Sequence, residues 1–307
     1  MSAVVRDLCC IVLNHFGAER TAACARALLG QTLDTLYLVD NSADAAQARA
    51  LHVLAAALED DGAGFDVRVL CHDRNLGFAG GVNAAVAVDR ASGGHRYYLL
   101  LNNDALVPAG GVAALRGALG AEPRAALASP RIRTGARCGC WLYYHPVLGH
   151  ITHRPSPRAF PYLTGACLLI DAAFIDDGGP FDETFFFYGE DVLLTWRVRQ
   201  RGGLARCVPD VVVDHAGSAS SGQCTAFYEY YLVRGHLLLA DKLARNRWQR
   251  YGYLLGRIGY LPLRALRRCL RFQSLLPARA LWWAAAGSSP VPAAGAQPPM
   301  ARASGRY

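Results

Sequence analysis

The stretch that most constrains the fold runs from Tyr97 to Asp104 and reads YYLLLNND. Its five consecutive apolar residues indicate a strand that is buried on both faces, as in a parallel sheet. The strand ends abruptly at Asn102, Asn103 and Asp104, and ligands of open α/β sheets bind just outside the carboxyl ends of the strands. A carboxylate at that place is suited to hold a divalent cation that bridges to a diphosphate. A polar turn before a helix that opens at Pro108 explains the same residues, so this stretch alone leaves both interpretations open.

Length and composition predict one large folded α/β domain with an appendage, since the chain has 307 residues, of which 52% are hydrophobic. The formal net charge of +8 favours an anionic partner, which is a phosphate group, nucleic acid or an acidic membrane surface. The ten cysteines lack the spacing of a zinc site, which favours free thiols in a reducing cytosol. We find no signal-peptide pattern at the N-terminus and no run of about 18 uncharged apolar residues, so we expect a cytoplasmic protein without a membrane-spanning helix.

Strands and helices alternate through the first hundred residues. Apolar runs predict three strands before the one described above, at 8–13, 35–39 and 65–70. Helical spacing and helix-stop signals predict the intervening helices, at 18–29, at 45–58 and in a segment that ends near residue 91. This order predicts a doubly wound parallel sheet. The polar residues at its strand ends, Asp40 and Asp104 among them, are then expected along one edge of the sheet.

A glycine-rich segment, RNLGFAGGVN from Arg74 to Asn83, follows the third predicted strand. Its glycines allow the backbone to approach a phosphate closely, and the start of the next helix adds a partial positive charge. A dinucleotide-binding loop would instead follow the first strand, which disfavours a nicotinamide-dependent oxidoreductase. Close packing of the helix on a strand explains the glycines as well, but it leaves Arg74, Asn75 and Asn83 unexplained.

The middle of the chain combines regular patterns with one irregular segment. The patterns predict one helix and two strands, at 108–119, 126–132 and 162–170. The last of these strands contains Thr164 and Gly165, where the backbone can be approached closely. Residues 134–157 are rich in aromatic residues and histidine, so they either line a substrate pocket or form a β-hairpin with exposed rings.

A second group of chemistry-bearing residues runs from Phe181 to Asp191, FDETFFFYGED. A helical pattern begins at its end, so Glu190 and Asp191 are either carboxylates that stabilise a helix start or a general base beside an aromatic wall. Two short strands are expected next, at 204–208 and 211–213. They end near His215, which is either a structural histidine or a metal ligand brought from a second loop.

The composition changes after Ser221. Residues 228–281 are helical in pattern and carry many arginines with few acids, and leucine, tyrosine and tryptophan are interleaved. A basic amphipathic helix favours binding to an anionic membrane surface. A solvated helix face or an oligomer contact fits the pattern as well, whereas no recognised motif supports nucleic-acid binding. Residues 287–307, rich in proline, alanine, glycine and serine, predict a disordered tail.

Several of these short motifs stand in an order known from one enzyme family. They are Val39-Asp40-Asn41-Ser42, Arg74-Asn75-x-Gly77-Phe78-Ala79-x-Gly81-x-Asn83, Leu100-Leu101-Asn102-Asn103-Asp104, Thr164-Gly165-Ala166, Phe181-Asp182-Glu183-x-Phe185-Phe186, Tyr188-x-Glu190-Asp191, Trp196-Arg197, Pro209 and His215-x-Gly217 with Ser220 following. Over roughly residues 5 to 220 the chain therefore resembles family 2 glycosyltransferases, in particular the bacterial rhamnosyltransferase-like branch.

The resemblance implies a GT-A fold, an α/β architecture with a doubly wound, mostly parallel sheet. We assign it to residues 1–222, with a basic helical extension at 223–286 and the tail at 287–307. The implied reaction is inverting transfer of rhamnose or another hexose from a dTDP- or UDP-sugar to a hydroxyl of a cell-surface glycan or lipid-linked acceptor. The implied cofactor is a divalent cation, Mn²⁺ or Mg²⁺. The expected location is the cytoplasm, with peripheral binding at the inner face of the plasma membrane.

The resemblance also implies roles for matching residues. Asp191 is the expected catalytic base with Glu190 beside it, and the expected metal ligands are Asp104 and His215. The residues expected to bind the nucleotide sugar are Asp40, Asn41, Arg74, Asn75, Gly81, Asn83, Asn102, Asn103, Thr164, Gly165, Trp196 and Arg197.

Two positions depart from the family pattern. Asn102 stands where many glycosyltransferases have aspartate, so a single carboxylate predicts weaker metal binding. Leu193 stands where relatives often carry an acid, which leaves the acceptor side undefined. The alternative function is a catalytically inactive domain of the same fold that binds carbohydrate or a partner. The presence of Asp104, Asp191 and His215 argues against that alternative.

Overall fold

The computed structural model describes residues 6–216 and 224–289. Within these ranges the strands form a nine-stranded central sheet and a separate three-stranded sheet. The strands are β1 (Arg6–Asn14), β2 (Thr35–Asp40), β3 (Asp66–Cys71), β4 (His95–Asn102), β5 (Ala105–Leu106), β6 (Ala125–Thr134), β7 (Arg137–Gly139), β8 (Trp141–His145), β9 (His150–Thr152), β10 (Phe160–Leu163), β11 (Cys167–Asp171) and β12 (Leu204–His215). The helices are α1 (Ala18–Arg26), α2 (Ala45–Asp60), α3 (Gly77–Ala91), α4 (Gly111–Gly120), α5 (Glu190–Gln200), α6 (Ala226–Lys242), α7 (Arg247–Phe272) and α8 (Leu276–Ala285).

The central sheet is doubly wound and mostly parallel, as the sequence predicts. Its order is β3-β2-β1-β4-β11-β6-β12-β5, and β7 pairs with the C-terminal end of β6. The first four strands in the chain pair in parallel, and β12 runs parallel to β6. Only the inserted strand β11 and the short strands β5 and β7 pair antiparallel in this sheet. The carboxyl ends of β1, β2 and β4 therefore meet at one edge.

Strand β4 is buried on both faces, because helices cover both sides of the sheet. Tyr97, Leu99 and Leu101 pack into the cluster that contains α1, α2 and α4, whereas Tyr98 and Leu100 pack into the cluster that contains α3 and α5. All five side chains are buried. The prediction that this stretch is a strand buried on both faces is confirmed.

The prediction of a single strand at 162–170 is wrong, because this segment forms two strands that belong to different sheets. The segment breaks at Thr164-Gly165-Ala166, after which β11 joins the central sheet between β4 and β6. Its first part, β10, pairs with β8, which pairs with β9. The aromatic and histidine-rich segment thus forms a hairpin that extends the small sheet. Its rings are not exposed as that prediction stated, because Tyr144 is buried and Trp141 and Tyr143 are half-buried. The two strands predicted at 204–208 and 211–213 are one strand, β12, with a register shift between Val208 and Val212.

Two cysteines depart from the expected free thiols. Cys140, just before β8, forms a disulfide with Cys207 on β12, 67 residues away along the chain. Cross-linking a loop of this length restricts the unfolded chain and is worth about 4 kcal/mol in the chain-entropy description. The expectation is wrong for these two residues, and the other eight cysteines are free thiols.

The C-terminal helices pack against the sheet domain rather than stand apart from it. Leu239 of α6 and Leu243, which directly follows this helix, lie in one buried cluster with Val192 and Leu193 of α5. The helical pattern predicted for 228–281 resolves into α6, α7 and α8. No helix in the two described ranges is both long enough and apolar enough to cross a bilayer. The boundary at residue 222 stays a prediction, and most of the predicted tail, 290–307, lies outside the described residues together with Gly217 and Ser220.

Candidate active site

The carboxyl ends of β1 and β2 hold a buried hydrogen-bond network around Asp40. Asp40 Oδ1 accepts hydrogen bonds from Asn14 Nδ2 at 3.1 Å and from the Ser42 hydroxyl at 2.7 Å. The Thr21 hydroxyl donates to Asn14 Oδ1 at 2.9 Å and fixes the orientation of that amide. Asn14 stands opposite Asp40 in the parallel register, so the sheet itself holds this carboxylate in place.

Asn41 and Asn75 lie together and close the turn that leads from β3 into α3. Asn41 Nδ2 donates to Asn75 Oδ1 at 3.0 Å and to the Gly77 carbonyl at 2.8 Å. Asn41 Oδ1 accepts from the Leu76 N–H at 3.0 Å, and Asn75 Oδ1 accepts from the Gly77 N–H at 2.8 Å. Gly77 has φ +75°, a left-handed conformation that favours glycine. The contacts of the two amides shape the turn, and their predicted contact with a nucleotide stays a prediction.

Gly81 and Asn83 place α3 against its neighbours. A Cβ at Gly81 would lie 2.6 Å from Leu13 Cδ1, so a larger residue there would require the Leu13 side chain to move. Asn83 Nδ2 donates to the Phe181 carbonyl at 2.9 Å and to Glu183 Oε1 at 3.0 Å, while Asn83 Oδ1 accepts from the Phe181 N–H at 3.1 Å. Asn83 is therefore the residue that holds the start of the 181–191 segment.

A cavity of about 630 Å³ opens beside this segment. Arg74 is exposed on its wall, where Asn75, Asn83 and Glu183 also lie. The guanidinium is thus free to meet an anionic group from solvent. Glu183 was not among the expected site residues, although its place in the Phe181-Asp182-Glu183 motif was a signal for it.

The two predicted metal ligands come together where β4 and β12 end. His215 Nε2 lies 3.2 Å from Asp104 Oδ1 and 3.1 Å from Asn102 Nδ2. A single imidazole nitrogen cannot satisfy both neighbours, because it either donates to the carboxylate or accepts from the amide. The conflict belongs to this orientation of the amide, and turning Asn102 over directs its oxygen to the same point, where Asp104, His215 and Asn102 would each offer a lone pair to a cation. The donor set, two oxygens and one imidazole nitrogen, suits Mn²⁺ or Mg²⁺.

Asn103 points away from this cluster and toward α1. Its Nδ2 donates to the Thr21 hydroxyl at 3.1 Å. Asn103 is buried, so it ties the end of β4 to the same Thr21 that orients Asn14. The contact with Thr21 stabilises the end of β4. Whether Asn103 also contacts the donor stays a prediction.

A different group of ligand-type residues lies at the opposite end of β4. Cys9, Asp89 and His95 are buried and bring one possible ligand atom each within 4.8 Å of one another. His95 begins β4 and Asn102 ends it, so the two groups are about 20 Å apart along the strand. Burial raises the pKa of the Cys9 thiol well above its ordinary value, which holds it as a neutral thiol.

Glu190 and Asp191 form the first turn of α5. Asp191 Oδ1 accepts a hydrogen bond from the Val192 N–H at 2.8 Å, and the Gly165 N–H also bonds to this carboxylate. Glu190 is buried, and its Oε2 has no hydrogen-bond partner. Burial raises the pKa of both carboxyl groups, and the charge of Asp191 raises that of Glu190 further. The backbone hydrogen bonds to Asp191 favour its ionised form, whereas Glu190 Oε2 has no donor, so the negative charge of the pair is assigned to Asp191.

A second cavity, of about 240 Å³, opens beside Asp191. Its floor and walls come from the hairpin, from β10 and Thr164, and from α6. The lining residues include Leu142, Tyr144, Ile151, His153, Tyr162, Thr164, Tyr188, Asp191, Tyr228, Leu232, Gly235, His236 and Leu239. Five of these belong to α6, which sequence reasoning placed in a separate extension. Residues so distant along the chain carry no local signal for a shared pocket.

The loop from Thr164 to Ala166 contacts both Asn102, in the candidate metal site, and the carboxylate of Asp191. The Asn102 N–H donates to the Ala166 carbonyl at 2.9 Å, next to the Asn102–Asp104 cluster. One residue earlier, the Gly165 N–H bonds to the Asp191 carboxylate. A Cβ at Gly165 would lie 3.3 Å from the Phe78 ring, so this loop sits tightly on α3. One short turn therefore contacts both the acid and the segment that carries the candidate metal ligands.

Trp196 and Arg197 make their contacts within the protein. Trp196 packs against the buried cluster of α5 and α6. Arg197 donates to Asp182 Oδ2 at 2.9 Å, and Lys242 Nζ donates to the same oxygen at 2.8 Å. Although burial alone would raise it, the hydrogen bonds from Lys242 and Thr184 lower the pKa of Asp182 to about 2. Neither Trp196 nor Arg197 lines the two cavities described above, and their predicted role at the donor or acceptor stays a prediction.

One group of relatives is similar to this chain in sequence. It consists of the N-acetylglucosaminyl-diphospho-decaprenol L-rhamnosyltransferases of two Mycobacterium tuberculosis strains, each 29% identical over 242 residues. The match covers 67% of this chain and 79% of each relative. No protein-family model matches the chain. The chain thus has a rhamnosyltransferase as a homologue, while its place in family 2 rests on the motif resemblance.

Two solved structures are similar to this chain in fold. The mannosyltransferase PcManGT from Pyrobaculum calidifontis, in complex with GDP-Man and Mn²⁺, has a TM-score of 0.56 at 15% identity, over 92% of this chain and 87% of the other. GalNAc-T7 with UDP, GalNAc and Mn²⁺ has a TM-score of 0.58 at 13% identity, over 78% of this chain and 48% of the other. The predicted fold class, a GT-A α/β fold with a helical C-terminal region, is thereby confirmed.

Proposed function

We propose that this chain is an inverting, metal-dependent glycosyltransferase that moves rhamnose or another hexose from a nucleotide-diphosphate donor to a lipid-linked acceptor. The homologous enzymes are named as rhamnosyltransferases of an N-acetylglucosaminyl-diphospho-decaprenol, which favours this donor sugar and this class of acceptor. The observation that carries the proposal is the short turn 164–166, which joins the Asn102–Asp104–His215 cluster to the Asp191 carboxylate. A leaving-group site and a base for the attacking hydroxyl are what an inverting transfer requires.

The donor is assigned to the edge formed by β1, β2 and β4. Asp40 lies at the carboxyl end of β2, where it suits a ribose hydroxyl or the base of a dTDP- or UDP-sugar. Exposed Arg74 suits the charge of the diphosphate. Asp104 and His215, with Asn102, would hold Mn²⁺ or Mg²⁺, which supplies Lewis-acid stabilisation of the departing diphosphate.

The acceptor is assigned to the cavity beside Asp191. The acceptor hydroxyl attacks the anomeric carbon on the face opposite the leaving diphosphate, so the configuration at that carbon inverts. Asp191 accepts the hydroxyl proton as the new glycosidic bond forms, a step worth about 10²- to 10⁴-fold in rate. Glu190, which holds its proton more firmly, keeps a second negative charge out of the buried site. Tyrosines of the cavity wall offer flat faces to a sugar ring.

The lipid-linked acceptor implies that transfer takes place at a membrane surface. We place it at the cytoplasmic face of the plasma membrane, with the protein bound peripherally. This fits the basic C-terminal helices, whose exposed arginines favour an anionic surface.

Calorimetry with a panel of nucleotide sugars, with and without Mn²⁺, tests the proposal. We expect binding of a dTDP- or UDP-sugar that requires the cation. Transfer to a short-chain N-acetylglucosaminyl-diphospho-polyprenol acceptor, followed by NMR of the product's anomeric centre, then tests inversion. A folded protein that binds no donor in either condition would instead be the catalytically inactive form of the fold.

A further inference from the structure

Helix α7 differs from an ordinary surface helix, because it turns a charged side chain inward and several large apolar side chains outward. Its buried residues, Arg257, Leu261 and Ala265, follow one another at intervals of four and face the protein. Arg257 is only 1% exposed. It donates from Nε to the His236 carbonyl at 2.6 Å and from its terminal nitrogens to the Pro146 carbonyl at 2.7 Å and the Tyr144 hydroxyl at 3.1 Å. A positive charge is thus turned inward, where oxygen atoms of the protein compensate it.

Two further arginines of α7 also turn inward. Arg268 Nε donates to Glu229 Oε1 at 2.6 Å, and Arg264 lies 3.5 Å from Glu229 Oε2. The carboxylate of Glu229, on α6, has no exposed area. Three of the basic residues that make this segment look like a charged surface helix in sequence therefore bind α6 and the hairpin instead.

The outward face of α7 is apolar. Leu255 and Ile258 are 69% and 71% exposed, values that leave most of each side chain in water. The exposed residues recur every three or four positions and form one stripe, which consists of Trp248, Tyr251, Leu255, Ile258, Pro262, Leu266 and Leu270. The 26-residue helix is about 39 Å long, and Leu275 and Trp282 add to the apolar surface around α8. A contiguous apolar surface of this extent marks an interaction site.

Positive charges flank the stripe. Six arginines of this region are exposed, namely Arg245, Arg247, Arg250, Arg267, Arg271 and Arg279. The sequence from 242 to 289 contains no aspartate or glutamate. Two copies of the chain docked through this face would bring two uncompensated sets of arginines together, which disfavours a dimer. An anionic lipid surface instead accepts both the charges and the apolar side chains, and tryptophan near the helix ends suits the lipid–water interface.

We infer that the outward face of α7, continued by Leu275 and Trp282, inserts into the interface of an anionic lipid bilayer. The inference rests on the proposed function, because a lipid-linked acceptor must be met at a bilayer, and it identifies the surface that meets it. Arg257 joins this helix to Tyr144 and His236, which line the cavity beside Asp191. Docking through α7 therefore fixes the position of the acceptor cavity relative to the lipid.

Sedimentation of the full chain with phosphatidylglycerol-containing vesicles tests the inference. We expect the double variant Leu255→Glu/Ile258→Glu to bind at least tenfold more weakly than the original chain. The matched control is Val53→Glu/Ala56→Glu, which adds the same two charges to an exposed face of α2 and should bind as the original chain does. At about 1 M salt, where the Debye length falls to about 3 Å, apolar insertion should retain part of the binding.

Several results would overturn the inference. These are failure of the original chain to bind the vesicles, equal loss in the control variant, or complete loss of binding at high salt. Light scattering that shows a dimer which Leu255→Glu/Ile258→Glu dissociates would assign the face to a second copy instead. Leu266→Glu/Leu270→Glu provides an independent pair if the first variant misfolds. If the protein binds vesicles but binds no nucleotide sugar, the membrane-docking surface is retained and the proposed glycosyltransferase activity is rejected. The two proposals can therefore fail independently.

Discussion

The two ends of strand β4 each bring a carboxylate to a histidine, but in different surroundings. At the amino end, His95 Nδ1 lies 2.9 Å from Asp89 Oδ2, and neither side chain has exposed area. At the carboxyl end, His215 Nε2 lies 3.2 Å from Asp104 Oδ1, and these side chains are 15% and 7% exposed. The first pair is sealed into the core, whereas the second can be reached by a ligand.

The hydrogen bonds separate the two ends more sharply than the distances do. Asp89 Oδ2 accepts from His95 and from the Tyr98 hydroxyl at 2.9 Å, two compatible donors. His215 instead faces a carboxylate and an amide that make opposite demands on one nitrogen. Asp89 Oδ1 and His95 Nε2 are nevertheless buried without a partner, so a cation at the amino end is the rival interpretation. Closeness of ligand atoms alone therefore does not decide where a cation binds.

The largest effect is expected at Asp191, which lines the cavity assigned to the acceptor. Asp191→Asn removes the base and should lower the transfer rate about 10²- to 10⁴-fold. Donor affinity should stay nearly unchanged, because the donor is assigned to the sheet edge. Single-turnover kinetics and calorimetry measure the two quantities. An equal loss of donor affinity would move Asp191 out of the base role.

Removal of a ligand at the carboxyl end should be next in size. Asp104→Ala should reduce cation-dependent donor binding at least tenfold and leave Tm little changed, because the side-chain contact of this carboxylate within the described residues is the one with His215. Titration of Mn²⁺ into the protein with donor present provides the measurement, and chelation of the cation should give the same loss. Full activity in chelator would remove the cation from this end of β4.

The pH dependence should follow from the raised pKa of Asp191. A base must be ionised, and burial puts its pKa above the ordinary 3.8, so the transfer rate should fall as pH drops through that raised value. The same shift makes the folded state bind more protons than the unfolded state above pH 3.8, so stability should decrease with rising pH in that window. A pH profile of kcat/KM and urea unfolding at several pH values check both signs. A rate independent of pH below neutrality would contradict the assignment.

The amino end should affect stability and not catalysis. Asp89→Ala leaves the His95 and Tyr98 donors buried without an acceptor, which costs about 1–3 kcal/mol for each group. Tyr98→Phe removes the hydroxyl that donates to Asp89 and keeps the carboxylate, so this variant should lose less stability than Asp89→Ala. Urea unfolding gives the free energy, and cation-dependent donor binding by the folded protein should be unchanged. Loss of that binding in Asp89→Ala would place the cation at Cys9, Asp89 and His95 instead.

Much of the sheet was predictable from sequence because its strands are short apolar runs with helices between them. The ends of β2 and β4 could be assigned to one edge for the same reason. The segment 162–170 misled the prediction, since Thr164 and Gly165 interrupt an apolar run without a strong turn signal. The resulting antiparallel strand β11 is set by pairing with β4 and β6, which are distant in sequence.

The individual site residues were harder to place than the strands. Periodicity showed that α7 is amphipathic, but it could not show which face turns outward, because Glu229 on another helix decides where Arg264 and Arg268 go. Motif order indicated Asn41 and Asn83, yet their hydrogen-bond partners lie 34 to 100 residues away along the chain. Side-chain contacts over such separations depend on the completed fold.

Helix α6 has a further consequence for the chemistry. Tyr228, His236 and Leu239 form one wall of the cavity that contains Asp191, although they follow the sheet domain in sequence. A protein cut before this helix would open the carboxylate to bulk solvent. Water would then compete with the sugar acceptor for the anomeric carbon, and a transferase would become a hydrolase of its own donor. The fidelity of the reaction thus depends on a helix outside the motifs that define it.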